Sequence, residues 1–403
     1  MTGTDRSYTS IEICAGAGGQ AIGLHMAGFR HLALIEIDKY AAATLRENIE
    51  VHPKWDWERA NCDVLCQDVA EFDPARDLVK SAGLYRRGEV DLLAGGVPCP
   101  PFSHAGKQLG EDDERDLFPR ILELAELIRP RAVMIENVRG LMDPKFDDYR
   151  SRIQAGLEEM EPDDDGRPGY EVVRWDVCEA AEFGVPQLRP RSILVAFRKD
   201  VLKDLKYEAP TPSAETVTVR DALEETMTER IKPFLDGPLA DQAKQMLAKW
   251  KEAAGGGVAP TLVGGSKKHG GADLGPSRAK KAWGKLGVSG MGVANAPVNG
   301  QPTGTEDRDL FRAGGSMLTV RQAAIIQGFP TYWEFTGGKT AQYRQVGNAF
   351  PPPVARAIGE SITEVLKADR DRGSGRRVAE GDFDDVSSRQ SERRGQVGRG
   401  APV

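Results

Sequence analysis

Cysteine is sparse in this chain, with five residues in 403, an odd number at irregular spacing. That excludes a disulfide framework and predicts reduced thiols in a cytoplasm. Cys62 and Cys66 stand too far from histidine or further cysteine for a zinc site, so no metal is expected. No run of about 18 apolar residues occurs, which excludes a membrane-spanning helix. The opening residues, MTGTDRSYTS, lack the basic and apolar regions of a secretory leader. Positive charge is not in excess either: the net charge is −7, and nucleic-acid binding is not announced by the chain as a whole. No internal repeat is present.

What is there is an alternation. TSIEIC, HLALIEID, VDLLAGG and AVMIEN read as strands, and GQAIGLHMAG, KYAAATLRENI and LFPRILELAELI as helices set between or after them. Strands separated by helices of this length predict an α/β fold with a doubly wound parallel sheet. YEVVRWDV and RSILVAF add two strand candidates. From about residue 199 to 315 periodic signals thin out and glycine rises, which reads as an irregular insertion or small domain. PPPVARAIGESITEVLKA returns as a helix with proline at its start. Beyond Ala368, eight arginines, seven acids and one aromatic cannot bury a core, so residues 369–403 are expected to be disordered.

The first strand runs into CAGAGGQA, where Gly16, Gly18 and Ala21 satisfy G-x-G-x-x-A. Glycines there let the backbone turn tightly and approach a ligand at the start of the next helix. Glu36, at the end of the second strand, is placed to take two ribose hydroxyls. Together they predict a ligand that carries adenosine; NAD and S-adenosylmethionine both fit.

A second feature is GGVPCPPFS, Gly95 to Ser103. Prolines on either side of Cys99 forbid helix or strand, because each lacks an N–H and fixes its own φ. Cys99 is thus presented on a loop of little freedom after the VDLLAGG strand. Glu136 and Asn137 end the AVMIEN strand. In an open parallel sheet, ligands sit outside the carboxyl ends of the strands, so the glycine turn, Cys99 and Glu136 are all predicted at one edge. A thiol and a carboxyl there suit covalent attack on an electrophilic ring better than hydride transfer.

CAGAGG, PCPPFS, ENV, QLRPR and QVGNAFPPPVA, in that order, resemble the cytosine-5 DNA methyltransferase family. The resemblance implies a Rossmann-like S-adenosylmethionine-dependent sheet with one reversed edge strand, and a smaller irregular target-recognition domain. It places the catalytic domain at 1–198 plus 337–368 and target recognition at 199–336. It further implies that Cys99 adds as thiolate to carbon 6 of cytosine while Glu136 holds or protonates nitrogen 3. Arg191 would hold the target ring, Gln187 would support it, and Arg189 would be a nearby cation. Cofactor contacts map onto Cys14, Ala17, Gly18, Gly19, Glu36, Ile37, Asp68, Val69, Pro98, Leu117, Asn348 and Phe350. Cys14 departs from the phenylalanine usual in the family, and Phe350 replaces a smaller apolar residue and would compensate.

The implied substrate is double-stranded DNA with the target base flipped out, since carbon 6 is out of a thiol's reach inside a duplex. Ser103 and Lys107, on the polar stretch after Cys99, would meet phosphate. Between Ser266 and Lys285 there are six Lys or Arg and one acid, Asp273. Within that run Lys267, Lys268, Arg278, Lys280 and Lys281 are expected to contact DNA, and Arg321 to touch phosphate or support the junction between domains. A monomer in a bacterial cytoplasm is expected, accompanied by a restriction or defence system. The competing readings are a transfer-RNA cytosine-5 methyltransferase and a catalytically silent DNA-binding relative.

Overall fold

The computed structural model describes residues 7–97, 116–212, 215–264, 272–297 and 300–392, the last twenty by backbone alone. Seven strands form one sheet: β1 (Tyr8–Ile13), β2 (Phe29–Ile35), β3 (Asp63–Leu65), β4 (Leu92–Gly96), β5 (Ala132–Val138), β6 (Tyr170–Glu179) and β7 (Pro190–Arg198). Their order is β3-β2-β1-β4-β5-β7-β6. β1 to β5 pair in parallel, and β7 pairs antiparallel with both β5 and β6. The reversed strand is therefore one place in from the edge, and the expectation of a reversed edge strand is corrected. The short link from Glu179 to Pro190 can join only antiparallel neighbours, and it leaves β6 outside.

Central strands are apolar on both faces because helices cover both. Ile11, Ile13, Leu93, Val133 and Ile135 point to the layer of Phe118–Ile128. Leu92, Ala94 and Met134 point the other way, towards Leu24 of the helix Gly19–Met26 and Val354, Ala355 and Ile358 of the helix Pro352–Glu392. The far end of the chain thus packs directly behind the first turn.

Two expectations need correction here. The stretch read as irregular contains the helices Val219–Ile231, Ala240–Ala254 and Ser277–Lys285. Val219, Leu223, Met227 and Ile231 bury one face of the first, and Thr218 caps it in a reciprocal box with Asp221. Nor does helical structure stop at Ala368. Asp369 pairs with Arg131 at 2.7 Å, and Arg372 donates to the Val201 carbonyl at 2.8 Å, so the helix Pro352–Glu392 continues through this point. One apolar cluster also crosses both expected domain boundaries, from Leu45 and Trp55 through Trp333 to Leu262, Val288 and Trp250.

Beneath the helix Gly19–Met26, His31 is fully buried. Its Nε2 lies 2.9 Å from the Ala21 carbonyl and must carry the proton, so Nδ1 accepts from the Ser10 hydroxyl at 2.9 Å. The ring is neutral, and burial above all pulls its pKa from 6.5 down to about 4. An unfolded chain takes up this proton first as pH falls. Stability from His31 is therefore whole above about pH 6.5 and is lost towards pH 4, by up to about 3 kcal/mol. Urea denaturation between pH 7 and 4.5 is expected to show that slope, and His31→Gln to flatten it. Parallel slopes in both proteins would contradict the assignment.

Candidate active site

After β1 the chain must reverse into a helix within a few residues. Cys14, Gly16 and Gly18 take left-handed conformations, with φ of 50°, 55° and 90°. Glycine does this without steric cost; Cys14 does it against about 1–2 kcal/mol. Three outside groups hold the turn. The Ala15 N–H donates to the Ile35 carbonyl at 3.0 Å. The Gly16 N–H donates to Glu36 Oε2 at 2.7 Å, and Glu36 Oε1 accepts from the Asp38 N–H at 2.7 Å. The Trp333 indole N–H donates to the Ala17 carbonyl at 2.9 Å. Burial raises the Glu36 pKa, and these backbone donors oppose the rise. The Cys14 thiol is pushed up to about 12 by burial and by Glu36, Asp68 and Glu12, so it stays protonated.

Two strands along, Gly96 is in register with Glu136, and Val138 with Arg191. Arg191 Nε lies 2.7 Å from Glu136 Oε1. Burial raises the Glu136 pKa, while Arg191 and Arg189 lower it. The result is a shielded carboxyl able to hold a proton yet fixed in direction. Asn137 is buried and donates to the Val97 carbonyl at 3.3 Å, tying the ends of β4 and β5 together. Cys99, Pro98, Ser103 and Lys107 lie outside the described residues, as do Lys267 and Lys268.

A cleft of about 960 Å³ joins the two ends. Of the residues singled out from sequence, Cys14, Ala17, Gly19, Glu36, Ile37, Asp68, Val69 and Leu117 line it. So do Glu136, Arg189, Arg191, Asn348 and Phe350, the last with its backbone against Gly19. Ile37 stands 66% exposed, an apolar face open to a ligand. Gly18 is directed away, against Leu45 and Trp333. Gln187 is likewise not on the cleft wall. It is buried, accepts from the Leu262 N–H at 2.7 Å and donates to Gln327 at 2.6 Å. Arg189 is buried too, and donates to the carbonyls of Leu262, Gly347 and Ala349 at 2.7, 3.0 and 2.8 Å.

Residues that sequence reasoning passed over complete the walls. Thr261 to Gly264 run past the cleft, and Gly347 lies so close to Val263 and Gly264 that a Cβ there would fall 2.6 Å from their backbone. The proline-led apolar run PTLVGG was the available signal. Glu12 and Gln20 also line the cleft. The described basic residues assigned to DNA stand elsewhere: Arg278, Lys280 and Lys281 on the helix Ser277–Lys285, and Arg321 at the start of Val320–Ile326. Lys280 pairs with Asp273 at 2.7 Å, and Arg321 with Glu229 at 3.6 Å.

Fold and site together define an S-adenosylmethionine-dependent methyltransferase of the Rossmann-like class. Solved structures agree on the fold. An E. coli prophage-encoded protein described as a DNA modification methyltransferase aligns with TM-score 0.55 at 21% identity, over 90% of this chain and 100% of its own. A variant of Spodoptera frugiperda DNMT2 aligns with TM-score 0.54 at 17% identity, over 89% and 100%. The chain belongs to the C-5 cytosine-specific DNA methylase family, whose model matches residues 8–364. It is 45% identical to the Type II methyltransferase M.NaeI of Lentzea aerocolonigenes over 92% of this chain and 78% of that protein. It is 41% identical to M.NgoMIV of Neisseria gonorrhoeae over 89% and 98%. The protein is accordingly a DNA (cytosine-5) methyltransferase, with S-adenosylmethionine as its methyl donor.

The cleft fits that donor. Its volume lies at the upper end for small-molecule sites, leaving room for a nucleobase as well. Glu36→Ala removes the acceptor of the Gly16 N–H in the glycine turn and that of the Asp38 N–H beyond the second strand. Calorimetry with S-adenosylhomocysteine is expected to show affinity reduced about ten- to hundredfold. Unchanged affinity would mean that the turn keeps its shape without Glu36.

Proposed function

We propose that Cys99 is the nucleophile and Glu136 the proton donor for methylation of a cytosine flipped out of duplex DNA. The observation that carries this reading is the Glu136–Arg191 pair at 2.7 Å, in register with Gly96 at the end of the strand that leads to Cys99. The Cys99 thiolate adds to carbon 6, and Glu136 gives its proton to nitrogen 3, so electron density moves to carbon 5. S-adenosylmethionine supplies the methyl group that carbon 5 takes up. Loss of the carbon-5 proton to a base or water, with return of the nitrogen-3 proton to Glu136, expels the thiolate. Burial favours the protonated form of Glu136 that the first step uses. Arg191 fixes the carboxyl and presents donors to the ring.

Ile37, open on the cleft wall, covers the adenine; Glu36 takes the ribose, and Asp68 the adenine amino group. Asn348 closes the cleft from the far end of the chain. Gln187 and Arg189 act from behind, holding Leu262 and Ala349 in place. Residues 199–336 read the target sequence, with Arg278 and Lys281 on phosphate. The likeness to proteins named Type II methyltransferases supports a role as the modification half of a restriction system; that the protein acts as a monomer in a bacterial cytoplasm is part of the same proposal. No helix among the described residues is long and apolar enough to cross a membrane.

Transfer of labelled methyl to mixed-sequence duplex DNA tests the assignment. Cys99→Ala is expected to abolish transfer, and Glu136→Gln to lower kcat by about a hundredfold or more. Transfer by Cys99→Ala at the wild-type rate would overturn it. Labelling of transfer RNA in place of duplex DNA would overturn the substrate.

A further inference from the structure

Among the described residues the cations that line the cleft are three, Arg189, Arg191 and Arg344. Two are spent inside the protein: Arg189 on the carbonyls of Leu262, Gly347 and Ala349, and Arg191 on Glu136. Arg344 is not. Its Nε is shut off from water with no acceptor, and no carboxylate among the described residues pairs with its guanidinium. A buried donor without a partner is destabilising, and a protein keeps one where something else completes it.

Position in the fold says what that is. Arg344 stands one turn before Asn348 on the helix Lys339–Asn348, and Ala341, Arg344 and Asn348 share the face that lines the cleft. Tyr343 and Val346 turn away into the apolar cluster. The same turn of helix packs on the chain that enters the target-reading stretch: a Cβ on Gly264 would lie 3.1 Å from the Arg344 carbonyl. Gly275, at the foot of the helix Ser277–Lys285, comes as close to Val263, since its Cβ would lie 3.1 Å from Val263 Cγ2. Arg344 is therefore on the seam between the catalytic edge and residues 199–336.

DNA that is read by that stretch and reacts beside Glu136 has to cross this seam, and it carries a phosphodiester on either side of the flipped nucleotide. Five carboxylates line the cleft, Glu12, Glu36, Asp38, Asp68 and Glu136, so an incoming phosphate meets like charge everywhere but at Arg344. A guanidinium takes a phosphate through two parallel N–H donors, which fixes direction as well as distance. We infer that Arg344 binds a backbone phosphate of the target strand beside the flipped nucleotide, and so holds the strand at the mouth of the cleft while the base is out of the duplex. The inference rests on the proposed attack on a flipped cytosine.

Methyl transfer by the full chain to mixed-sequence duplex DNA tests it, measured across DNA concentrations at several concentrations of potassium chloride. Arg344→Gln is expected to raise KM for DNA about tenfold at low salt and to leave kcat within about twofold. The slope of log KM against log salt is expected to become shallower by about one, the share of one phosphate. Arg344→Lys, which keeps the charge, is expected to restore the slope and most of KM. Both variants are expected to bind S-adenosylhomocysteine as wild type does, with a circular-dichroism melt to confirm folding. A KM raised equally at every salt concentration would assign Arg344 a packing role and overturn the inference, as would an unchanged KM. Weakened binding of S-adenosylhomocysteine by Arg344→Gln would give the guanidinium to a carboxylate of the cofactor and overturn it too. Wild type that labels transfer RNA and no duplex would overturn the substrate, and this contact with it; wild type that labels the duplex beside an Arg344→Gln variant of the same salt slope would overturn the contact alone.

Discussion

A single guanidinium buried at the back of the cleft joins the segments on which the site depends. Arg189 reaches out of the loop before β7 to the carbonyls of Leu262, Gly347 and Ala349. Those residues come from the stretch assigned to target recognition and from the turn that carries Asn348. Without Arg189 the carbonyls of Leu262 and Gly347 would lose this donor in an interior from which water is excluded, at about 1–3 kcal/mol each, and that of Ala349 would keep only Gln327. Gln187 and Gln327 reinforce the same joint: Gln187 takes the Leu262 N–H, and Gln327 donates to the Ala349 carbonyl. Burial, followed by the neighbouring Arg191, lowers the Arg189 pKa, yet its carbonyl acceptors favour the charged form.

The joint matters because an open parallel sheet leaves its carboxyl edge unroofed. β1, β2, β4 and β5 bring Glu36, Gly96 and Glu136 to that edge, but no strand can close over it. Closure comes from chain 150 and more residues away. The helix Lys339–Asn348 delivers Asn348, and the helix Pro352–Glu392 packs against Gly19–Met26 behind the glycine turn. Trp333 adds the bond to Ala17 that keeps the turn in its left-handed shape. Cofactor and target segments are thereby built on shared contacts, with one apolar cluster running through both.

Much of this was legible in the sequence, for definite reasons. Central parallel strands such as VDLLAGG and AVMIEN are apolar on both faces and bounded by glycine or a polar end, so they stand out, and with them the edge where Glu36 and Glu136 lie. Pairing order does not show in periodicity, which is why β7 was not placed inside β6. The helix Val219–Ile231 was missed although its signal was present: apolar residues four apart, and a Thr–Asp capping box, obscured by the charges between them. Arg189 reads in the sequence as a cation near the target ring and Gln187 as a support for it, and their burial does not show, because what buries them arrives from residues 259–264 and 347–349. Glu12 is one acid in an apolar run, and only its missing partners in three dimensions mark it out.

The central claim is that this edge holds a cytosine for attack by Cys99, and trapping the adduct tests it most directly. Duplex DNA carrying 5-fluorocytosine at the target, incubated with the protein and S-adenosylmethionine, has no carbon-5 proton to lose, so the thiolate is not expelled. A denaturation-resistant protein–DNA complex is predicted, with mass spectrometry locating the base on Cys99. A complex through any other residue, or methyl transfer to unmodified DNA with no complex on the fluorinated duplex, would contradict the account.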